Sequence, residues 1–148
     1  MNHQSKSIFL TLWVNRIIAL VVFGLLFFLP ALLDWYAAIR LLNPGQEKAI
    51  VIAFYCCAAV ILYALWCMEK LLKHILSYKV FTPENVSLIQ KVCFCCGLVG
   101  LICLPAGFFY PPLIFLSVIM GFLCLVVNVV CQVIRAAVTL REENDLTI

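Results

Sequence analysis

The sequence predicts an all-α polytopic membrane protein: a single membrane domain of four transmembrane helices, arranged as two hairpins with both termini cytoplasmic. Three observations carry that prediction. Apolar residues make up 66% of the 148-residue chain and charged residues 11%, against ~45–50% and ~25% in soluble domains. A soluble fold of this size keeps too much surface in water to hide such a load. The apolar residues gather into runs long enough to cross ~30 Å of hydrocarbon. Lys and Arg gather on one side of those runs. The formal charge of +3, without a dense basic run, gives no footprint for direct nucleic-acid binding.

Taken in order, residues 1–11 are polar and then amphipathic, with His3 and Lys6. Trp13, Asn15 and Arg16 mark the membrane surface, and a first span covers 12–33 if Arg16 snorkels to the headgroups. A signal peptide is the rival reading of a basic start before an apolar run. The length of the run and the poor small-residue pattern beyond it favour a retained helix. A loop follows from Asp34 to Lys48, with Trp35 and Tyr36 suited to the interface and Asn43-Pro44-Gly45 supplying a turn. The second span, 49–68, contains no charge and places Tyr63 and Trp66 toward its far end.

The connection 69–91 is the one sizeable polar interval, with Lys70, Lys73, Lys79 and Lys91 against Glu69 and Glu84. Leu71, Leu72, Ile75 and Leu76 recur at helical spacing, so the second helix continues out of the membrane or along its surface. Thr82-Pro83-Glu84-Asn85 reads as a helix start: a capping residue, a proline for the first turn, and an acid at the positive end of the dipole. No charge then occurs from Val92 to Ile134. One helix of that length would measure ~65 Å, about twice the hydrocarbon thickness, so the chain must turn. Tyr110-Pro111-Pro112 is the place, giving spans 92–109 and 113–134 and a polar tail, 135–148, that ends acidic.

Lys6, Arg16, Lys70, Lys73, Lys79, Lys91, Arg135 and Arg141 fall on one side, and Arg40 and Lys48 on the other. The positive-inside rule therefore puts both termini and the central connection in the cytoplasm. Unbonded backbone is costly in lipid, and alternating strands for a barrel are absent, so the spans are helices.

Candidate functional residues are few. Ser117, Gly121, Cys124, Asn128, Gln132 and Arg135 form a stripe at three- and four-residue steps on the fourth span. It reads as a helix-packing seam; the sharper alternative, an ion or ligand path, lacks an acid, Lys or His in the membrane core. The nine cysteines lie in or near apolar runs and read as reduced thiols rather than disulfides. Cys93, Cys95 and Cys96, with Cys67 at similar depth, do not point three thiolates at one centre, and neither histidine stands at ligand spacing. Inert filling is the expectation there, and thiol redox sensing by a thiolate that Lys91 activates is the alternative. Neither a metal site nor a cofactor is expected. No nucleophile–base pair can be assembled, so an enzyme is not expected. In the tail, Glu142, Glu143 and Asp145 are followed by Leu146, Thr147 and Ile148. These acids either dock on Lys70, Lys73 or Lys79, or on a partner, or the tail is flexible. Exposed ion pairs contribute ~0–1 kcal/mol each, so docking would also need Leu146 and Ile148 buried. Asn85-Val86-Ser87 matches a glycosylation acceptor, but in the cytoplasm its Asn serves the helix start.

Two segments carry a resemblance. Phe81-Thr82-Pro83-Glu84-Asn85-Val86 and Leu140-Arg141-Glu142-Glu143-Asn144-Asp145-Leu146-Thr147-Ile148 are similar to signature segments of a small bacterial four-helix membrane-protein family, domain of unknown function two-nine-seven-five. The likeness covers nearly the whole chain, with departures at Lys79-Val80 and Ser87-Leu88-Ile89-Gln90. It implies a bacterial inner-membrane protein whose neighbour is often a small helix-turn-helix regulator. The leading expectation is thus a regulatory accessory protein whose cytoplasmic face binds such a partner through Lys70, Lys73, Lys79, Glu84, Asn85, Glu142, Glu143, Asp145 and Thr147. The alternatives are a transporter or channel subunit acting as a homo-oligomer, and a thiol-based redox sensor.

Overall fold

Backbone N–H and C=O groups in hydrocarbon have no water to bond, so long charge-free runs fold as helices. In the computed structural model, which describes residues 3–40, 43–77 and 82–146, the chain forms α1 (His3–Arg40), α2 (Pro44–Leu76), α3 (Pro83–Phe109) and α4 (Pro112–Leu146). No strand occurs among the described residues. All four helices are long and apolar enough to cross a membrane, and the chain is a multi-pass membrane protein. They contain 38, 33, 27 and 35 residues. At ~1.5 Å per residue even α3 exceeds the ~30 Å hydrocarbon layer, so each helix continues past the lipid tails into its polar flanks.

The helix ends follow local chemistry. Pro44 and Pro83 occupy first-turn positions, where a missing N–H costs nothing, and Glu47 and Glu84 sit at the positive dipole ends. Thr82 takes the capping position in extended conformation, yet its hydroxyl makes no cap bond. Its Oγ1 is buried without a hydrogen-bond partner among the described residues. The start of α3 therefore rests on Pro83 and on the Asn85 N–H donating to Thr82 O at 3.1 Å. The other turn is tight: α3 ends at Phe109 with Tyr110 as its cap, and α4 begins at Pro112.

The helices form a row in chain order, α1 on α2, α2 on α3 and α3 on α4, and no other helix pair packs backbone to backbone among the described residues. α3 is the most enclosed and α4 the least, with 33% and 6% of their apolar spans buried. Val22 and Leu25 of α1 face Leu113 and Met120 of α4 across a cleft of about 260 Å³. The row leaves side chains such as Phe108, Leu101 and Phe115 largely exposed, for lipid to cover.

Glycine sets the distance between α3 and α4. A Cβ at Gly100 would lie 3.3 Å from the Ser117 carbonyl oxygen. A Cβ at Gly107 would overlap Ile114 Cγ1 and come within 3.1 Å of the Ile114 backbone nitrogen. Small residues at such crossings let backbones approach where lipid offers no hydrophobic drive for association.

Candidate functional site

Arg16, Lys70 and Lys73 stand at one end of the row, toward the start of α1 and the end of α2, where α3 begins. Asn15, nearly buried, donates through Nδ2 to Leu65 O at 3.1 Å. One turn of α2 further on, Arg16 reaches Glu69 Oε1 through Nη2 at 3.0 Å and Nε at 3.3 Å. Lys73 Nζ lies 2.9 Å from the same oxygen. Arg16 therefore makes an interhelix ion pair here, where its place beside the apolar run suggested a headgroup contact. Lys70 Nζ stands 5.6 Å from the centre of the Trp66 ring, a cation–π contact. His74 Nδ1 and Asn85 Oδ1 are 3.0 Å apart, joining the end of α2 to the start of α3.

The two cations shape the acid between them. Hydrogen bonds from Lys73 first and Arg16 second hold the Glu69 carboxyl below its ordinary value near 4.5. Glu69 lies just beyond the uncharged run 49–68. A lowered carboxylate value stabilises the fold above the unfolded value and loses that contribution as pH falls through the folded one. Thermal unfolding in detergent is thus expected to show an acid-side loss, below about pH 4.5, that is smaller in Glu69→Gln. The effect is small because the pair is solvent-screened. Identical acid slopes in the two proteins would refute the assignment.

Between α2 and α4 at this end runs a groove of about 310 Å³, floored by α3. Met68, Leu71 and Ile75 line one side and Val130 and Ile134 the other, with Asn85 at its edge. Asn85 is 1% exposed, and Glu84 beside it is exposed. α4 runs as helix through Arg135 to Leu146, so the acidic segment is not a coil. Its packing partner is α3, whereas Lys70 and Lys73 belong to α2 and engage Trp66 and Glu69. Glu142 and Glu143 are exposed, and Leu146 is 87% exposed rather than buried against those lysines. Lys79 and Thr147, together with the Asp145 side chain, lie outside the described residues.

The α4 stripe divides. Ser117 is buried and donates to Gly100 O at 2.7 Å. Cys124 Sγ sits 3.5 Å from Cys93 Sγ, and each thiol reaches the other's carbonyl oxygen, at 3.3 and 3.4 Å. The seam then continues through buried Cys131, near Val86 O at 3.8 Å, and Val138, while Gly121, Asn128 and Gln132 are exposed. Ser117, Cys124, Cys131 and Val138 recur every seventh residue. A heptad drifts ~20° in a straight helix, which a slight supercoil absorbs; successive steps of four drift ~40° each at 3.6 residues per turn, carrying Gln132 round the helix. The polar residues marked the stripe, but the seven-residue repeat decides which side faces α3.

A second close thiol pair, Cys57 and Cys103 at 3.7 Å, joins α2 to α3. All nine cysteines are free. Cys93, from the Cys-x-Cys-Cys cluster, finds its neighbour on another helix. No group of three or more His, Cys, Asp or Glu able to hold a metal occurs among the described residues. Sequence reasoning missed the Asn15, Arg16–Glu69 and His74–Asn85 contacts. A polar residue in or beside an apolar run was the available signal, and the partner could not be read without helix register.

Comparison with known proteins adds one result. No curated protein and no solved structure matches the chain. A model of one protein family, described as protein of unknown function (DUF2975), matches residues 11–148. That match takes in all of α2, α3 and α4 and most of α1, and the chain belongs to this family of proteins of unknown function.

Proposed function

We propose that this is a non-enzymatic regulatory protein of a bacterial inner membrane, with both termini cytoplasmic, whose basic end holds a soluble partner such as a small helix-turn-helix regulator. The observation supporting this reading is the shape of that end. α2 continues past its uncharged stretch and there lines, with Leu71 and Ile75, an apolar groove of about 310 Å³ whose α4 wall, Val126 to Ile134, closes the uncharged run, and the ion-paired Arg16, Glu69 and Lys73 brace α1 against α2. Apolar grooves accept the apolar face of an amphipathic helix, and Lys70, Lys73 and Arg135 stand close in sequence to the lining residues of α2 and α4. The regulator itself is suggested by the resemblance of the two signature segments.

The test is retention of a cytosolic helix-turn-helix protein by the detergent-solubilised full chain. Retention that falls to background when Ile75 or Ile134 in the groove becomes Asp, while the fold persists, is the expected result. Retention unchanged by those substitutions, or a reporter fused after Ser77 that proves periplasmic, would overturn the reading.

A further inference from the structure

A thiol can fill a helix seam as a small apolar group, and filling needs no second sulfur beside it. Cys131 does so: it is 3% exposed and approaches the Val86 carbonyl oxygen at 3.8 Å. One heptad earlier in the same seam the chemistry differs. Cys124 Sγ and Cys93 Sγ are 3.5 Å apart on different helices, and each thiol reaches the other's carbonyl oxygen, at 3.3 and 3.4 Å. A disulfide needs ~2.05 Å between sulfurs, so this pair has to close by about 1.5 Å, a movement that side-chain rotation can supply. Gly97, one turn beyond Cys93, leaves room for it, since a Cβ there would still lie 3.4 Å from Cys124 Sγ.

The pair is also open to reagents. Cys93 and Cys124 are half-buried and line a cleft of about 560 Å³ between α3 and α4, together with Phe94, Leu98, Gln90 and Asn128. Apart from its thiols, the lining is polar at the two amides, whose N–H groups can donate to an oxygen held beside the sulfurs. The Cys57–Cys103 pair is nearly as close, at 3.7 Å, but Cys103 is 1% exposed and the cleft that these two border offers no amide, hydroxyl or charge.

We propose that Cys93 and Cys124 form a modification site: a dithiol that hydroperoxides oxidise to a disulfide bridging α3 and α4. One sulfur attacks the peroxide and the O–O bond breaks. The attacked oxygen stays on that sulfur as a sulfenic acid, and the thiol proton leaves with the other oxygen as water or an alcohol. The second sulfur displaces the sulfenic oxygen, the S–S bond forms, and its proton leaves with that oxygen as water. The two sulfurs give up two electrons and the peroxide takes them. Val92 adjoins Cys93, and Val126 and Val127 follow Cys124 closely; all three line the groove of about 310 Å³. The bridge therefore fixes the spacing between the α3 floor and the α4 wall of that groove.

The experiment uses the reduced full-length chain in liposomes. One arm receives hydrogen peroxide in the water and the other a phosphatidylcholine hydroperoxide in the bilayer. After unfolding in dodecyl sulfate, maleimide labelling should show a loss of two thiols from the nine. Peptide masses should show a Cys93–Cys124 link that dithiothreitol removes. The arm in which the link forms faster at equal peroxide identifies the source as aqueous or lipid. Cys93→Ser and Cys124→Ser should each abolish the link, whereas Cys57→Ser should leave its rate unchanged. The mapping on the unmodified sequence stands even where a serine variant folds poorly. Nine thiols remaining in both arms, a link joining other cysteines instead, or Cys57–Cys103 bonding at an equal rate would each overturn the proposal.

Discussion

Replacing Gly107 with alanine is expected to lower the unfolding free energy by about 1–3 kcal/mol, the range for forcing an added methyl into a packed contact. The new Cβ would overlap Ile114 Cγ1 and sit 3.1 Å from the Ile114 backbone nitrogen, with its Cα at 3.4 Å. A side-chain clash alone could be relieved by rotation, but the nitrogen belongs to the first turn of α4, fixed by its bond to Pro111 O at 3.0 Å. The strain therefore opens the α3–α4 hairpin near its tightest point. Reversible unfolding in mixed micelles reads the effect. Adding Ile114→Ala should recover part of the loss by removing Cγ1, while the backbone contact retains the rest. Gly107→Ala with wild-type stability would show that this approach is not tight.

Asn85→Leu is expected to cost a similar amount, about 1–3 kcal/mol, because it removes the hydrogen bonding of a buried side chain and leaves half-buried His74 without that partner. Asn85 is 1% exposed and its Oδ1 accepts from His74 Nδ1–H at 3.0 Å. Leucine has the same branched heavy-atom outline, is larger, and removes the bonding, so the loss does not come from a cavity. Pairing it with His74→Leu in a double-mutant cycle isolates the coupling between α2 and α3. Additive single-site costs would mean that the two side chains touch without supporting each other.

The residues that made the architecture readable were those that cannot sit in lipid. Lys48 and Glu69 bracket one helix, Lys91 and Arg135 bracket the charge-free run, and Tyr110-Pro111-Pro112 divides it. The structure keeps these divisions and extends the helices through the polar flanks, because a helix started in hydrocarbon continues while its side chains remain good helix formers. The stripe from Ser117 to Gln132 was readable as a set but not as a surface. Its members look alike in sequence, and the register with α3 gives Ser117 and Cys124 to that helix while leaving Asn128 and Gln132 outside. Arg16 and Glu69 are fifty-three residues apart, and no local pattern pairs them. The tail was legible as acidic, yet its helical form through Leu146 depends on continuity with α4.

Because every helix leans on the one made just before it, the molecule can be built in the order in which it is synthesised. Each newly inserted segment finds its dock already present, and none has to wait for a strand of chain still inside the ribosome. Contacts between near neighbours close short loops and form fast. A chain stalled after α3 would already hold two of the three helix–helix contacts of the row, whereas a closed ring of four would hold only two of its four.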